Sequence, residues 1–342
     1  MKILVTGVCG LIGSHLTEKL LKEGHEVVGF DNLSFGNMDN IKSFIDDSNF
    51  TFFGNDIRED FWKLSNYCEC EVSCDCDLSG FDYVYHLASF KKTYPTKSKS
   101  YSDSDMTSSG VMSNNSKMIE RIYEFVKEDN SKLIFTSTSD VYGNHKTFNE
   151  NDSISFQPTN VERQSYALVK LYEEQFLLNK FNEGELNVSV ARIFGCFSER
   201  AKSVGFYGGG HFPIFFENAL HNKDIIIHGD GSQTRSMAYV MDIVNGLIGM
   251  MDNFSKVNGE ILNLGSDEEM SILEHAKEIV KSFNSNSEIK FISEKEAYGN
   301  YKDIKRRFAD TDKAKRLIGY KTEYKLKDWL NEVVDKYRSN ND

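Results

Sequence analysis

The sequence predicts an α/β protein, a doubly wound parallel sheet with a smaller C-terminal α/β lobe. Apolar runs of strand length recur at 2–6, 26–30, 50–53, 81–87, 132–136 and 187–191. Helical patterns fall between them, clearest at 14–22, 117–128 and 161–182. The strand runs are continuously apolar rather than alternating, the pattern of strands buried on both faces. At 342 residues the chain exceeds one average domain, so an appended lobe is expected.

The first strand begins at once with Ile3, Leu4 and Val5, and each later run follows a helix or a turn. The last third continues as helix 240–251, strand 260–263, helix 271–283, strand 288–292 and helix 325–338, with no internal repeat. Two segments break the alternation. Residues 96–116 hold eight serines and read as a polar loop before a helix. Residues 199–210 end in three glycines and read as a flexible connection.

Composition narrows the function classes. Hydrophobic residues make up 39% and aromatics 13%, enough to fill a core, which excludes global disorder. With 52 Asp+Glu against 40 Lys+Arg the formal charge is -12. That balance disfavours nucleic acid and anionic membranes as partners, so any anionic ligand must be held by locally gathered donors. No signal-like leader precedes the first strand, and no run approaches the roughly 18 apolar residues of a membrane span. A soluble, cytoplasmic protein with reduced thiols is expected. Cys68, Cys70, Cys74 and Cys76 crowd into nine residues. Four thiolates could hold zinc, but the Cys-x-Cys spacing is tight, and Glu69, Glu71, Asp75 and Asp77 oppose thiolate formation. The expectation is a surface loop with no metal.

Gly7, Gly10 and Gly13 lie between the first strand and the first helix. A chain that turns tightly there lets a pyrophosphate approach the backbone and rest on the helix N-terminus, which Leu11 and Ile12 open. Asp31 ends the second strand, with Asn32 after it. A carboxylate at that point takes both ribose hydroxyls and repels a 2′-phosphate, favouring NAD over NADP. Cys9 fills a small-residue slot in the loop. On this basis 1–190 form a Rossmann-type NAD-binding domain to which 236–265 return, and 191–235 with 266–342 form a substrate lobe.

The stretches TGVCGLIGSHL, DNLSFGN, NDIRED and YHLAS resemble the extended short-chain dehydrogenase/reductases, specifically the NAD-dependent nucleotide-sugar epimerases and dehydratases. The resemblance implies that Asp56 and Ile57 contact the adenine. Leu87, Ala88 and Ser89 line the cofactor, and Lys91 reaches toward the ribose. Asn115 matches an asparagine that begins the next helix. Met118 stands where that family usually has glycine.

Tyr166 and Lys170 share one helical face at i, i+4, and an ammonium near a phenol favours phenolate. Tyr-x-x-x-Lys also occurs at Tyr123/Lys127, Tyr142/Lys146, Tyr298/Lys302 and Tyr301/Lys305. Position selects Tyr166, which opens a long helix after the fifth strand. The hydroxyl-rich end of that strand, FTSTSDVYG, is another family match. By resemblance Thr138 shares a hydrogen bond with Tyr166 and the sugar O4, with Ser139 beside it.

In the C-terminal part, IHGDGSQTRSMAYVMD resembles the family's substrate-binding stretch. Arg235 would grip a diphosphate as a planar multi-donor guanidinium. Arg192 matches the arginine after strand six, and Phe194 and Gly195 line the site. Many relatives place asparagine at Gly195, and His211 is a candidate replacement donor. Asn300 stands where relatives place arginine, leaving Lys302, Arg306 and Arg307 as substitutes.

The expected activity is NAD-dependent epimerisation at C4 of a nucleoside-diphosphate sugar, UDP-sugar foremost, through a 4-keto intermediate. A 4,6-dehydratase or decarboxylase using Asp140 is the alternative, since relatives of those kinds carry Asp-Glu or Ser-Glu where this chain has Ser139-Asp140. A non-catalytic dinucleotide-binding protein is the reading from another class, suggested by Met118, Gly195 and Asn300. The resemblance also implies a homodimer through helices 117–128 and 161–182.

Overall fold

A computed structural model describes residues 1–59, 78–91, 107–154, 164–200, 210–298 and 304–339. In the first half these form β1 (Lys2–Thr6), α1 (Leu11–Lys22), β2 (Glu26–Phe30), β3 (Phe50–Phe53), β4 (Tyr83–His86), α2 (Ser108–Asp129), β5 (Lys132–Thr138), α3 (Gln164–Asn182) and β6 (Asn187–Ile193). Then come β7 (Gly195–Phe197), α4 (Phe212–Leu220), β8 (Ile225–His228), β9 (Thr234–Tyr239), α5 (Val240–Asp252), α6 (Phe254–Val257) and β10 (Ile261–Leu264). The chain closes with β11 (Glu269–Ser271), α7 (Ile272–Phe283), β12 (Ile289–Ile292), α8 (Glu294–Tyr298), β13 (Arg306–Arg307), α9 (Asp312–Ile318) and α10 (Leu326–Ser339).

The contacts divide the chain into two units. The first comprises Met1–Val141, Glu162–Arg192 and Leu247–Leu262. The second comprises Tyr142–Val161, Ile193–Gly246 and Asn263–Asp342. Residues 236–246, which the sequence reading returned to the NAD-binding domain, group with the second unit. The reason is β9, whose strand partners β7, β11 and β13 lie there.

The main sheet has the order β10-β6-β5-β4-β1-β2-β3. Its resolved pairs are parallel, with Ile3 opposite Val27 and Tyr83, and Val27 opposite Phe50. The order reverses between β1 and β4. Loops leaving those two strands therefore diverge at a switch point, where open α/β sheets bind ligands. Leu4, Phe30, Val84, Phe135 and Val190 join the core of this unit, packed against Ile119, Ile122 and Phe125 of α2. Tyr83 and Tyr85 donate from the sheet to the carbonyls of Met251 and Leu247 at 3.1 Å each, anchoring the end of α5.

α2 starts nine residues before the helix read from sequence. Thr107 caps it, accepting from the Gly110 amide at 3.0 Å, and Val111, Asn114 and Asn115 turn inward. Serine is a weak helix former, yet burial of one face outweighs that preference here. Asn115 consequently lies two turns inside α2 rather than at its start. Met118, where a glycine was the usual expectation, is buried in the core.

The second unit has its own core, in which Phe197, Phe212, Phe216 and Trp329 gather with Ile225, Ile227 and Ile279. β9 pairs with β11 antiparallel and with β7 and β13 in parallel. β8 and β12 form a separate parallel pair. α7 begins with a reciprocal Ser271–Glu274 capping box and ends at Asn284 in a left-handed conformation. No helix among the described residues is long and apolar enough to cross a membrane.

Candidate active site

The three glycines make a cradle that side chains would fill. Gly7 has φ +75°, and a Cβ on it would lie 2.9 Å from the Ala88 amide nitrogen. A Cβ on Gly13 would lie 2.1 Å from the Gly7 carbonyl oxygen. Loop and helix thus meet with no atom to spare, and the loops after β1 and β4 touch through Gly7 and Ala88. The Gly10 amide donates to the Gly7 carbonyl at 3.0 Å, closing the turn into α1. Leu11 and Ile12 open α1 half-buried. Such a cradle fits a diphosphate brought to the start of α1.

Asp31 at the end of β2 is held by two amides. Oδ2 accepts from Cys9 at 2.9 Å and Oδ1 from Leu33 at 2.8 Å. Burial raises its carboxyl above the ordinary value, and the two amides pull against that shift. Gly36 lies over it, where a Cβ would come within 2.6 Å of Oδ1. The sequence reading passed over Gly36, although the glycine in DNLSFGN was the available signal. Cys9 is buried, and burial together with Asp31 pushes its thiol far up, so it is inert.

Asp56 accepts from Asn32 Nδ2 at 2.9 Å and from Arg58 through its amide and its guanidinium, the Nη2 contact being 2.8 Å. Burial pushes its carboxyl up, but these bonds outweigh burial and hold it below its ordinary value. Arg58 reaches on to Asn114 Oδ1 at 2.7 Å. It is a brace that NDIRED contained and the sequence reading did not single out. Ile57 is buried in the core of the first unit. Asn115 spends its whole amide on the chain around it. Oδ1 accepts from Phe90 and Ser89, and Nδ2 donates to the carbonyls of Phe90 and Val111. It fixes the loop of Leu87, Ala88 and Ser89, which are half-buried.

The Tyr166 cluster gathers at the end of β5. Lys91 Nζ lies 3.2 Å from Asp140 Oδ2 and 4.6 Å above the Tyr166 ring centroid. Burial raises the Tyr166 phenol well above its ordinary value. The Ser89 hydroxyl pulls it down, and the charges of Asp140 and Glu173 push it further up. The expected Thr138–Tyr166 hydrogen bond is not formed. Thr138 Oγ1 instead accepts from the Asp140 amide at 3.2 Å, capping the turn that carries Ser139. Lys170 is sealed from solvent, pairs with Glu173 at 3.0 Å and donates to the Thr136 carbonyl at 3.3 Å. Glu173 was not anticipated, although i, i+3 spacing on one helix face makes such a pair legible.

On the substrate side, Arg192 makes a buried pair with Glu174, 3.0 Å through Nε and 2.7 Å through Nη2. Phe194 packs in a cluster with Tyr142 and Phe148. Arg306 pairs with Glu269 at 2.9 Å. Arg307 is buried. Cys68, Cys70, Cys74, Cys76, Asn300 and Lys302 fall outside the described residues, among which no group of three metal-binding side chains occurs.

In the second unit Arg235 donates from Nη1 to the carbonyls of Thr234 and Ile304 at 2.8 Å each. His211 Nε2 and His275 Nδ1 share a hydrogen bond of 2.9 Å, with rings nearly parallel at 16°. Burial holds His211 well below its ordinary value, with His275 and Arg235 adding to the shift. Burial and then Arg235 hold His275 down to about 4. Both imidazoles are therefore neutral near pH 7. Nothing in the sequence paired His275 with His211, 64 residues apart. A Cβ on Gly195 would meet Met237 Sδ at 2.4 Å, so a thioether fills the place a longer side chain would need.

A glycine turn at the start of a helix and a buried acid at the end of the second strand are features of a dinucleotide-binding fold, and comparison with known proteins agrees. The chain belongs to the NAD dependent epimerase/dehydratase family, whose profile matches residues 3–265. It is an NAD-dependent enzyme of that family. It is similar to UDP-N-acetyl-alpha-D-glucosaminuronate decarboxylase of Bacillus cytotoxicus, 32% identical over 98% of both chains. Among solved structures it is similar to Pal from Bacillus thuringiensis, with TM-score 0.81, 27% identity, and 99% of this chain and 100% of that one covered. It also resembles the UDP-glucuronic acid 4-epimerase of Bacillus cereus in complex with UDP-glucuronic acid and NAD, with TM-score 0.78, 26% identity, and 99% and 100% covered.

Proposed function

We propose that this enzyme oxidises a UDP-linked hexuronic acid at C4 and then decarboxylates it. The observation that carries the reading is the Asp140–Lys91 pair at 3.2 Å, with Lys91 over the ring of Tyr166. An epimerase needs no carboxylate beside its tyrosine. A decarboxylase needs a group that returns a proton to carbon.

NAD, when bound by the Gly7–Gly13 cradle and Asp31, supplies the hydride acceptor for C4 and the hydride that later returns. Tyr166 takes the O4 proton as C4 becomes a ketone. The C6 carboxylate is then β to that carbonyl, so its bond to C5 breaks as carbon dioxide leaves and the electron pair moves toward O4. The protonated Tyr166 hydroxyl donates a hydrogen bond to the developing enolate oxygen. Asp140, whose side chain is 11% exposed, relays a solvent proton to C5, and Lys91 holds it in place. Arg235 holds the diphosphate of the substrate.

C4 epimerisation is the second reading, favoured by the side chain at 140. Asp is one methylene shorter than the glutamate of the resembling decarboxylases, and reacting groups must approach to about 3 Å. A homodimer through α2 and α3 belongs to either reading; these helices pack together and leave Met112 and Tyr172 exposed. Sedimentation at micromolar concentration checks the dimer.

The deciding experiment incubates the enzyme and NAD with UDP-glucuronic acid and with its N-acetylglucosamine-derived counterpart, followed by mass spectrometry and NMR. Loss of carbon dioxide is the expected result. Unchanged mass with inverted C4 overturns it in favour of the epimerase. Asp140→Asn should lower steady-state formation of the decarboxylated sugar by about 10²-fold or more, while C4 oxidation and a single round of carbon dioxide release persist.

A further inference from the structure

Glu173 has no part in the chemistry above, yet it lies against the ammonium of Lys170, which is one helical turn from Tyr166 on α3. It stands on α3 one turn after Lys170, its Oε2 is 3.0 Å from Lys170 Nζ, and both side chains are sealed from solvent. The ammonium also donates to the Thr136 carbonyl and lies 4.6 Å over the Phe135 ring. Apart from this ion pair, neither carboxylate oxygen has a hydrogen-bond donor among the described residues. A buried carboxylate supported by one cation is costly, and an apolar side chain would fill the same space more favourably.

We infer that Glu173 is a positioning residue for the Tyr166–Lys170 pair, fixing the ammonium at the floor of the site and cancelling part of its charge. Lys170 then favours ionisation of Tyr166 fully only when Glu173 carries a proton. This rests on the reading of Tyr166 as the group that takes the O4 proton.

The charges around Glu173 leave it this role. Glu174, next to it on α3, is matched by Arg192 of β6. Asp140, after β5, is matched by Lys91 from the loop after β4. His86 of β4 is buried and kept neutral, first by burial and then by Lys170. Tyr166 and Tyr172 on α3 are both pushed up by the charge on Glu173. Among the named carboxylates Glu173 alone faces the cation that serves Tyr166. Burial pushes it up to about 7 against the opposing pull of Lys170, so its proton is exchanged near neutral pH.

The test compares the wild type with Glu173→Gln and Glu173→Ala. With a UDP-hexuronic acid as substrate, the acidic limb of kcat/KM against pH should move down by about one unit in both variants, because a charge opposing the phenolate is gone. A variant profile that overlays the wild type overturns the inference. Ligand-free protein gives an independent reading. The folded-state value of Glu173 is raised, so the stability linked to its proton is present at low pH and lost as pH rises through about 7. The Tm of Glu173→Gln should therefore gain on the wild type by a few degrees between pH 5 and 9. A constant difference overturns the inference. Where neither variant folds, carbon-13 NMR of the wild-type Glu173 carboxyl decides: a midpoint near neutrality supports it, and one in the ordinary carboxylate range overturns it. If no uronic sugar is turned over, the functional reading falls, and the ligand-free titrations alone judge Glu173.

Discussion

The two units place their polar groups in opposite ways. In the first, the cations near the site each face a carboxylate: Lys170 faces Glu173, Lys91 faces Asp140, Arg192 faces Glu174 and Arg58 faces Asp56. In the second, Arg235 is flanked by two backbone carbonyls and by imidazoles that burial keeps neutral. In the first arrangement each carboxylate offsets the charge of the cation beside it. In the second, hydrogen bonds from Arg235 to the chain fix the plane of a multi-donor guanidinium, the group proposed above to hold the substrate diphosphate.

Breaking the first region should have the largest effect. Tyr166→Phe should lower turnover by about 10³-fold or more while NAD affinity, followed by protein fluorescence, stays within about twofold. Retained turnover removes Tyr166 from its proposed role. Gly13→Ala should weaken NAD binding by at least about tenfold and lower Tm, since its Cβ would meet the Gly7 carbonyl at 2.1 Å. Normal affinity in a calorimetric titration would show that the cradle can open.

The second region gives smaller, separable effects. Arg235→Gln should weaken UDP binding by about 10- to 100-fold and leave NAD affinity unchanged. A loss of both would mean the unit had been disturbed rather than its anion site. The histidine pair should show in acid. His275 has a folded-state value held down to about 4, below its unfolded value, so folding is destabilised as pH falls through about 6.5. His275→Leu should remove on the order of 1–2 kcal/mol of the stability lost between pH 7 and 5, measured by urea unfolding at each pH. Equal acid sensitivity in the variant would place the loss elsewhere.

The main sheet was legible because buried parallel strands are written as continuous apolar runs. The elements built from short or polar stretches were not. β9 lies within GSQTRSMAYV, whose alternation is too brief to register, and the start of α2 is written largely in serines. At the site, Gly7, Gly10, Gly13 and Asp31 could be found because backbone approach demands particular residues at particular spacings. The surroundings of Arg192 and Phe194 were not legible, because sequence position alone does not tell what a residue at a strand end packs against. Their burial against Glu174 and Phe148 depends on contacts distant in the chain. The pairing of His211 with His275 left no local trace at all.

Asp31 deserves a last consequence, for anyone altering cofactor preference. Its carboxylate answers the Cys9 amide of the glycine loop and the Leu33 amide beyond it, under a glycine at 36 that permits its position. The residue that would discriminate against a phosphorylated ribose is thus also a rivet between two loops. Exchanging it for a small neutral residue to admit NADP would release both loops together. A successful redesign would have to supply a new fastening for Cys9 before changing the charge.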